Sequence, residues 1–291
     1  MDDIKKLQSY IDKIMNEQNN QGLPDFEGFS PIEMQYILYD TFGENCPIEL
    51  LHLTQSEYKK IPILNQIKYL LENIVNCGEL KLTAKGFLPT KIVADIYNQR
   101  FIKDEMIESG ISKLYKESDS KSINLTRILI EISGLVKKRN GKISLTKKGK
   151  KIYSNNFELL KLILETFGTK FNWAYYDRYG ENQIGQLGFG FSLILLSKYG
   201  FEKQLDHFYS NKYFKAFPKL IDNIQPSQFN TSKNQAGKCY SLRTFDRFLD
   251  YFGLIKVEMA NKSWNADKYI IKTELFDKLI KVRPHNNVYK K

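Results

Sequence analysis

Cysteine is scarce in this chain: Cys46, Cys77 and Cys239 are odd in number and far apart in its 291 residues. They supply neither a disulfide framework nor the paired spacing of a zinc site. His52, His207 and His285 also lack ligand spacing, so no metal is expected. There is no Walker A pattern, and Gly188-Phe189-Gly190 is too short for a dinucleotide-binding turn. Acidic residues are scattered, whereas nuclease chemistry needs clustered carboxylates for Mg2+. Asp177-Arg178 reads as a charge pair on a helix surface. No catalytic residue and no cofactor is therefore expected. The longest apolar run, Phe189 to Leu196, falls far short of the ~20 residues that cross a bilayer, so no membrane partner is expected. Met1-Asp2-Asp3-Ile4-Lys5-Lys6 opens an amphipathic helix rather than a signal peptide, and a cytoplasmic protein is the simple reading.

One absence is local. Between Val136 and Lys151 there is no Asp or Glu, but there are eight Lys or Arg: Lys137, Lys138, Arg139, Lys142, Lys147, Lys148, Lys150 and Lys151. Within this stretch Asn140-Gly141 separates two short β-prone runs. That dipeptide is the strongest hairpin signal because both central positions need φ > 0. Thr146 then N-caps a new helix, with Gly149 in its first turn marking a close backbone approach. An apolar helix, Ile123 to Ile132, precedes the hairpin. Helix followed by hairpin is the back half of a winged helix-turn-helix.

Parts of this pattern recur. Leu-Thr-x-x-Gly occurs at Leu82 and again at Leu145. The first copy follows a helix from about Ile61 to Val75 and leaves room only for a truncated wing. Gly-Leu followed by Val or Ile ends a helix at Gly134 and at Gly253. After Gly253 come a strand, a loop around Trp264, the strand Tyr269 to Ile271, and Thr273 opening a last helix. The expected fold is mainly α with small β-hairpins, as tandem winged-helix-like units joined by a helical connector. The expected segments are an N-terminal amphipathic helix and loop (1–27), a winged-helix-like unit with a truncated wing (28–100) and a winged-helix unit with the basic wing (101–155). An aromatic-rich helical connector (156–202) and a C-terminal winged-helix-like unit (203–291) complete the division.

Finer expectations follow from local chemistry. Ile4, Leu7, Ile11, Ile14 and Met15 form one helix face, and Glu17 to Gly22 reads as a loop. Ser30-Pro31-Ile32-Glu33 is a capping box with Pro at the first helical position, and Phe29 staples onto Met34. Pro89 opens a helix in the same way, and Phe101 to Tyr115 reads as helical. Phe171, Trp173, Tyr175, Tyr176, Tyr179, Phe189, Phe191, Tyr199 and Phe201 read as core of the connector rather than as stacking platforms for bases.

The chain resembles a family of uncharacterised bacterial proteins. The residues that carry the resemblance are Gly28-Phe29-Ser30-Pro31-Ile32-Glu33-Met34 with Leu38-Tyr39, then Leu82 to Pro89. Gly134-Leu135-Val136, Leu145 to Gly149 and Phe171-Asn172-Trp173 continue it. In relatives, the resemblance implies a region found beside SEC-C zinc motifs or a plasmid ORF-3-like domain. This chain has no cysteine cluster, so the SEC-C part is absent. The family implies no activity and no catalytic residues.

Net charge is divided along the chain. Residues 1–60 hold eleven Asp or Glu against five Lys, or −6, and residues 61–291 hold 39 Lys or Arg against 22 acids, or +17. A basic portion of this kind suits a polyanion. The reading is a non-catalytic nucleic-acid-binding protein, of the kind used in regulation, with the eight basic residues above as its contacts and duplex DNA as the expected partner. The alternative is a scaffold that uses winged-helix units to hold a protein partner. The helix before the hairpin is apolar nearly all round and should be buried, which favours the scaffold; Asn124, Arg127 and Glu131 are the only polar side chains it offers to bases. The stretch Ser241 to Tyr251, with Arg243, Thr244 and Arg247, offers more, although Asp246 and Asp250 would repel phosphate. Sequence specificity is expected to be weak.

Overall fold

The computed structural model describes residues 2–226, 231–261 and 266–285. Its helices, in chain order, are α1 (Asp2–Asn20), α2 (Pro31–Tyr39), α3 (Gln55–Tyr58), α4 (Pro62–Cys77), α5 (Thr90–Asn98), α6 (Glu105–Glu108), α7 (Lys121–Ile132), α8 (Lys147–Ile152), α9 (Asn156–Thr169), α10 (Phe189–Tyr199), α11 (Asp206–Ala216), α12 (Ser232–Ser241) and α13 (Glu274–Leu279). The strands are β1 (Ile48–Leu50), β2 (Leu80–Lys81), β3 (Val136–Arg139), β4 (Lys142–Leu145), β5 (Gln204–Leu205), β6 (Ile255–Met259), β7 (Lys268–Lys272) and β8 (Ile280–Val282). The protein is thus mainly helical with small antiparallel sheets. No helix among the described residues is long and apolar enough to cross a membrane.

The chain gathers into two compact units, neither of them one run of sequence. The first comprises Met1–Leu51, Tyr179–Phe245 and Ile255–Lys291, and the second comprises His52–Arg178 and Asp246–Leu254. In the second unit α4 turns Ile63, Leu64, Ile67, Leu70, Leu71 and Ile74 inward at helical spacing. These side chains meet the buried faces of α7 and α9. Phe167 of α9 sits edge-on to Phe171, Trp173 and Phe248, which places 246–254 in this core. Its sheet has the order β2-β4-β3.

In the first unit α10 is buried from Phe189 to Leu196, a run that contributes about 1.5–3 kcal/mol for each large apolar side chain. Tyr240 stacks near Tyr213 at 4.6 Å and donates its hydroxyl to Ser192 Oγ at 2.9 Å. The sheet order here is β5-β7-β6, and a separate two-stranded ladder pairs β1 with β8. The same succession therefore occurs twice: helix, short strand, helix, helix, then a hairpin whose second strand lies at the centre of the sheet, against the early strand. It runs through α4, β2, α5, α7, β3 and β4, with the one-turn α6 interposed between α5 and α7, and again through α10, β5, α11, α12, β6 and β7.

Several local expectations hold. Ser30 and Glu33 form the capping box, and Pro31 starts α2. Asn140 and Gly141 take φ of 50° and 69°. Thr146 caps α8 by accepting from the Gly149 N–H, and Thr273 caps α13 by accepting from the Phe276 N–H. Gly134 and Gly253 both have left-handed φ, and the following leucine N–H bonds back five residues, Leu135 to Ile130 and Leu254 to Leu249. These are Schellman caps, and they give the repeated Gly-Leu its physical reason.

Others are corrected. Leu80–Lys81 is no stub of a separate wing, because β2 pairs with β4 through Leu80↔Ile143 and Lys81↔Lys142. Segments 28–100 and 101–155 thus share one sheet. Phe101 to Tyr115 is helical only over Glu105–Glu108, since Ser109 and Gly110, the latter at φ 76°, close the turn. Helix α1 runs on through Glu17 to Asn20, where the expected loop offers no residue that stops a helix before Gly22. Its apolar stripe is largely exposed, with Ile4, Leu7, Ile11 and Met15 facing solvent. The connector 156–202 divides, α9 joining the second unit and α10 the first. The loop expected around Trp264 lies outside the described residues.

Candidate nucleic-acid interface

The hairpin β3–β4 pairs Val136↔Leu145, Lys137↔Ser144, Lys138↔Ile143 and Arg139↔Lys142. Alternation then decides which side chains reach water. Val136, Ile143 and Leu145 face the core, and Lys137, Arg139 and Lys142 share the outer face. Lys138 leaves the core face near the tip and extends over Gly86. Its Nζ lies 2.3 Å from where a β-carbon on Gly86 would stand, so the glycine of the first Leu-Thr-x-x-Gly makes room for it.

Sequence reasoning missed Lys81. Its register partner is Lys142, so it joins the same outer row, and Arg139, Lys142 and Lys81 lie side by side across three strands. Like charges directly opposite each other destabilise a sheet. A carboxylate relieves part of this: Glu79 accepts from Lys142 Nζ at 2.9 Å, a bond that lowers the Glu79 carboxyl from its ordinary value. No spacing in the sequence points to Lys81, because its partner strand is some sixty residues away.

Behind the hairpin Lys147, Lys148, Lys150 and Lys151 are exposed on α8. Gly149 is needed there because a β-carbon would meet the Leu135 carbonyl oxygen at 2.0 Å. Lys148 Nζ donates to the Ser133 carbonyl at 2.9 Å. Lysines at a helix start work against the macrodipole, a second unfavourable charge placement in the same region. The structure thus exposes all eight basic residues named from the sequence.

The helix before the hairpin is buried, as its nearly all-round apolar character predicts, and its few polar side chains are not free for bases. On α7, Asn124 and Arg127 are buried and both donate to the fully buried Glu117 carboxylate, which also accepts the Leu88 N–H. Arg127 also reaches Glu131 at 2.7 Å, and Asn124 accepts from the Tyr176 hydroxyl. Burial lowers the tendency of Arg127 to hold its proton, but the hydrogen bonds to Glu117 and Glu131 outweigh it and raise its pKa. All three polar side chains are therefore engaged in internal bonds. The stretch Ser241 to Tyr251 fares no better. Leu242–Leu249 is a π-helical continuation of α12. Arg243 is buried and donates to the carbonyls of Gly180, Asn182 and Ile184. Thr244 is buried, and Arg247 donates to the Tyr176 carbonyl at 2.8 Å.

Asp177 pairs with Arg247 at 3.8 Å and is shielded from solvent, which replaces the surface pair expected with Arg178. His52 stacks on Phe157, and His285 Nδ1 lies 2.6 Å from Glu33 Oε2. His207 has company that its sequence spacing hides: Asp206, His207 and Asp267 offer ligand atoms within 4.8 Å of one another. Asp206 already accepts the Ser241 hydroxyl at 2.6 Å. Of the connector aromatics Phe171, Trp173, Phe189 and Phe191 are buried, whereas Tyr175 and Phe201 are exposed rather than in the core.

No curated protein sequence matches the chain, and no solved structure matches it. A family model does: residues 59–158, the stretch that carries α4 and the whole β2-β4-β3 sheet, are similar to the Y4jL N-terminal domain family.

Proposed function

We propose that the protein is a non-catalytic nucleic-acid-binding protein, and that duplex DNA is its ligand. In this reading each helix–strand–helix–helix–hairpin succession is a winged-helix-like unit, and β3–β4 is a wing that contacts phosphates. The observation that carries the reading is the row Arg139, Lys142 and Lys81, three cations in register with one carboxylate beside them. Such a row costs the folded protein stability in isolation, and a polyanion would reverse the sign of that term. Lys137 lies on the same outer face, while Lys138 on the other face of the hairpin and Lys147, Lys148, Lys150 and Lys151 on α8 are exposed as further cations for the same ligand. Because α7 is buried, this part of the protein is expected to hold DNA with weak sequence specificity.

The rival reading is a scaffold for a protein partner. The burial of α7 favours it, because a winged helix without an exposed third helix serves well as a rigid block. One titration separates the two. Replacing Lys137, Lys138, Arg139 and Lys142 together by Glu should abolish most binding to a duplex at low salt. Wild-type affinity should fall steeply as salt rises, and each phosphate-binding cation removed should reduce the salt slope by about one. Equal binding by the variant removes the hairpin from the interface. No binding by wild type at low salt favours the scaffold.

A further inference from the structure

The third helix of the other succession is α12, and it differs from α7 at its solvent face. Thr231 caps it by accepting from the Asn234 N–H. Its inner side is Ala236, Cys239 and Tyr240, all buried, and it crosses α11 closely at Gly237, where a β-carbon would stand 3.4 Å from Ser210 Oγ. The first turn carries Lys233 and Asn234, both exposed, followed by Gln235, half-buried. These three side chains have no hydrogen-bond partner among the described residues. Of the six Lys or Arg in residues 207–245, Lys215, Lys219 and Lys233 are exposed, whereas Lys212 pairs with Glu27 and Arg243 is buried; Asp222 is the one acid inside that span, with Asp206 and Asp246 at its borders.

We infer that the N-terminal half of α12 is a base-reading surface for the major groove of duplex DNA. This rests on the nucleic-acid reading above and adds to it a second contact surface, in the first unit, with a different role. The topology gives α12 the place that a recognition helix takes, and it is the N-terminal residues of such a helix that meet base edges. The residue types suit the task. Asn and Gln make paired hydrogen bonds to adenine, and Lys reaches guanine or a phosphate. No Asp or Glu lies between Thr231 and Phe245 to oppose approach to the backbone. Folded this way, the chain would draw affinity from the β3–β4 hairpin and sequence preference from α12.

The test is selection from a randomised duplex pool with three full-length proteins: wild type, Asn234→Ala with Gln235→Ala, and the four-Glu hairpin variant. The double variant changes no charge and truncates two side chains outside the core, and circular dichroism checks that it folds. Wild type should enrich a motif. The double variant should keep wild-type affinity for scrambled duplex and its salt slope, while its preference for the motif over scrambled duplex falls about tenfold or more. The inference is overturned if wild type binds duplex with a salt slope but enriches nothing, or if the double variant prefers the motif as strongly as wild type. In those cases the hairpin reading stands. A hairpin variant that keeps full affinity while the double variant loses its preference has the reverse meaning. Absence of any duplex binding by wild type overturns both.

Discussion

The sheets β2-β4-β3 and β5-β7-β6 share a strand order but handle charge differently. The strands of the first carry Lys81, Lys137, Lys138, Arg139 and Lys142 and no acid. The strands of the second mix Lys256, Lys268 and Lys272 with Glu258, and carboxylates meet cations at close range, Glu258 with Lys203 and Asp277 with Lys272, each at 2.6 Å. The helices packed with these sheets differ in the opposite sense. Helix α7 buries an ionic network around Glu117, and α12 buries aromatic and small side chains, Ser241 among them, while Lys233 and Asn234 face out. One topology thus tolerates a buried carboxylate–guanidinium network behind one hairpin and, in the other unit, a largely aromatic interior in which the Arg243 guanidinium is held by backbone carbonyls. What the two halves share is backbone geometry, and what differs is where each places its polar groups.

The sharpest way to break this contrast is Glu117→Ala. It leaves the Arg127 guanidinium in the interior with Glu131 as its remaining carboxylate partner, and it should cost about 3–5 kcal/mol in urea unfolding followed by circular dichroism. The corresponding change on the aromatic side, Tyr240→Phe, removes the bond to Ser192 and leaves no charge unpaired, and it should cost about 1 kcal/mol. Equal losses would mean that the interiors behind α7 and α12 are energetically alike.

Gly149→Val comes next. The added side chain collides with the Leu135 carbonyl, and about 1–3 kcal/mol of stability should be lost, read as a fall in Tm. Phe276 holds the same place three residues after Thr273, and there the fold accommodates a ring. An unchanged Tm for Gly149→Val would show that α8 can shift away from the hairpin. The smallest effects are expected for Thr146→Ala and Thr273→Ala, about 1 kcal/mol each through loss of the N-cap. Thr146 should lose more, because its hydroxyl also donates to the Gly134 carbonyl at 2.7 Å. If both substitutions lower Tm equally, that extra bond contributes nothing measurable.

What could be read from the sequence was local. Asn140-Gly141, Thr146, Thr273, Gly134, Gly253 and the Ser30 box each bond within a few residues, so their chemistry is written in adjacent letters. What escaped depends on partners distant in the chain. A two-residue strand such as Leu80–Lys81 has no period of its own, and only pairing with β4 defines it. Helix α12 starts at Ser232 with Ser-Lys-Asn-Gln, which lacks the apolar rhythm that marks a helix. In Ser241 to Tyr251 the polar residues that the letters offer to solvent are turned inward, Arg243 and Thr244 being buried. Glu117, in a polar run of the sequence, gave no sign that Leu88, Asn124 and Arg127 would enclose it.

The pairing of β1 with β8 bears on how the chain is made. Ile48 must wait for Val282, whereas the second unit has all its residues once Leu254 has left the ribosome. Synthesis at about 5–20 residues per second keeps β1 without its strand partner for more than ten seconds. An unpaired strand edge invites wrong pairing during such an interval. The interrupted unit, rather than the basic one inserted within it, is thus the part of the protein with most need of a chaperone at birth.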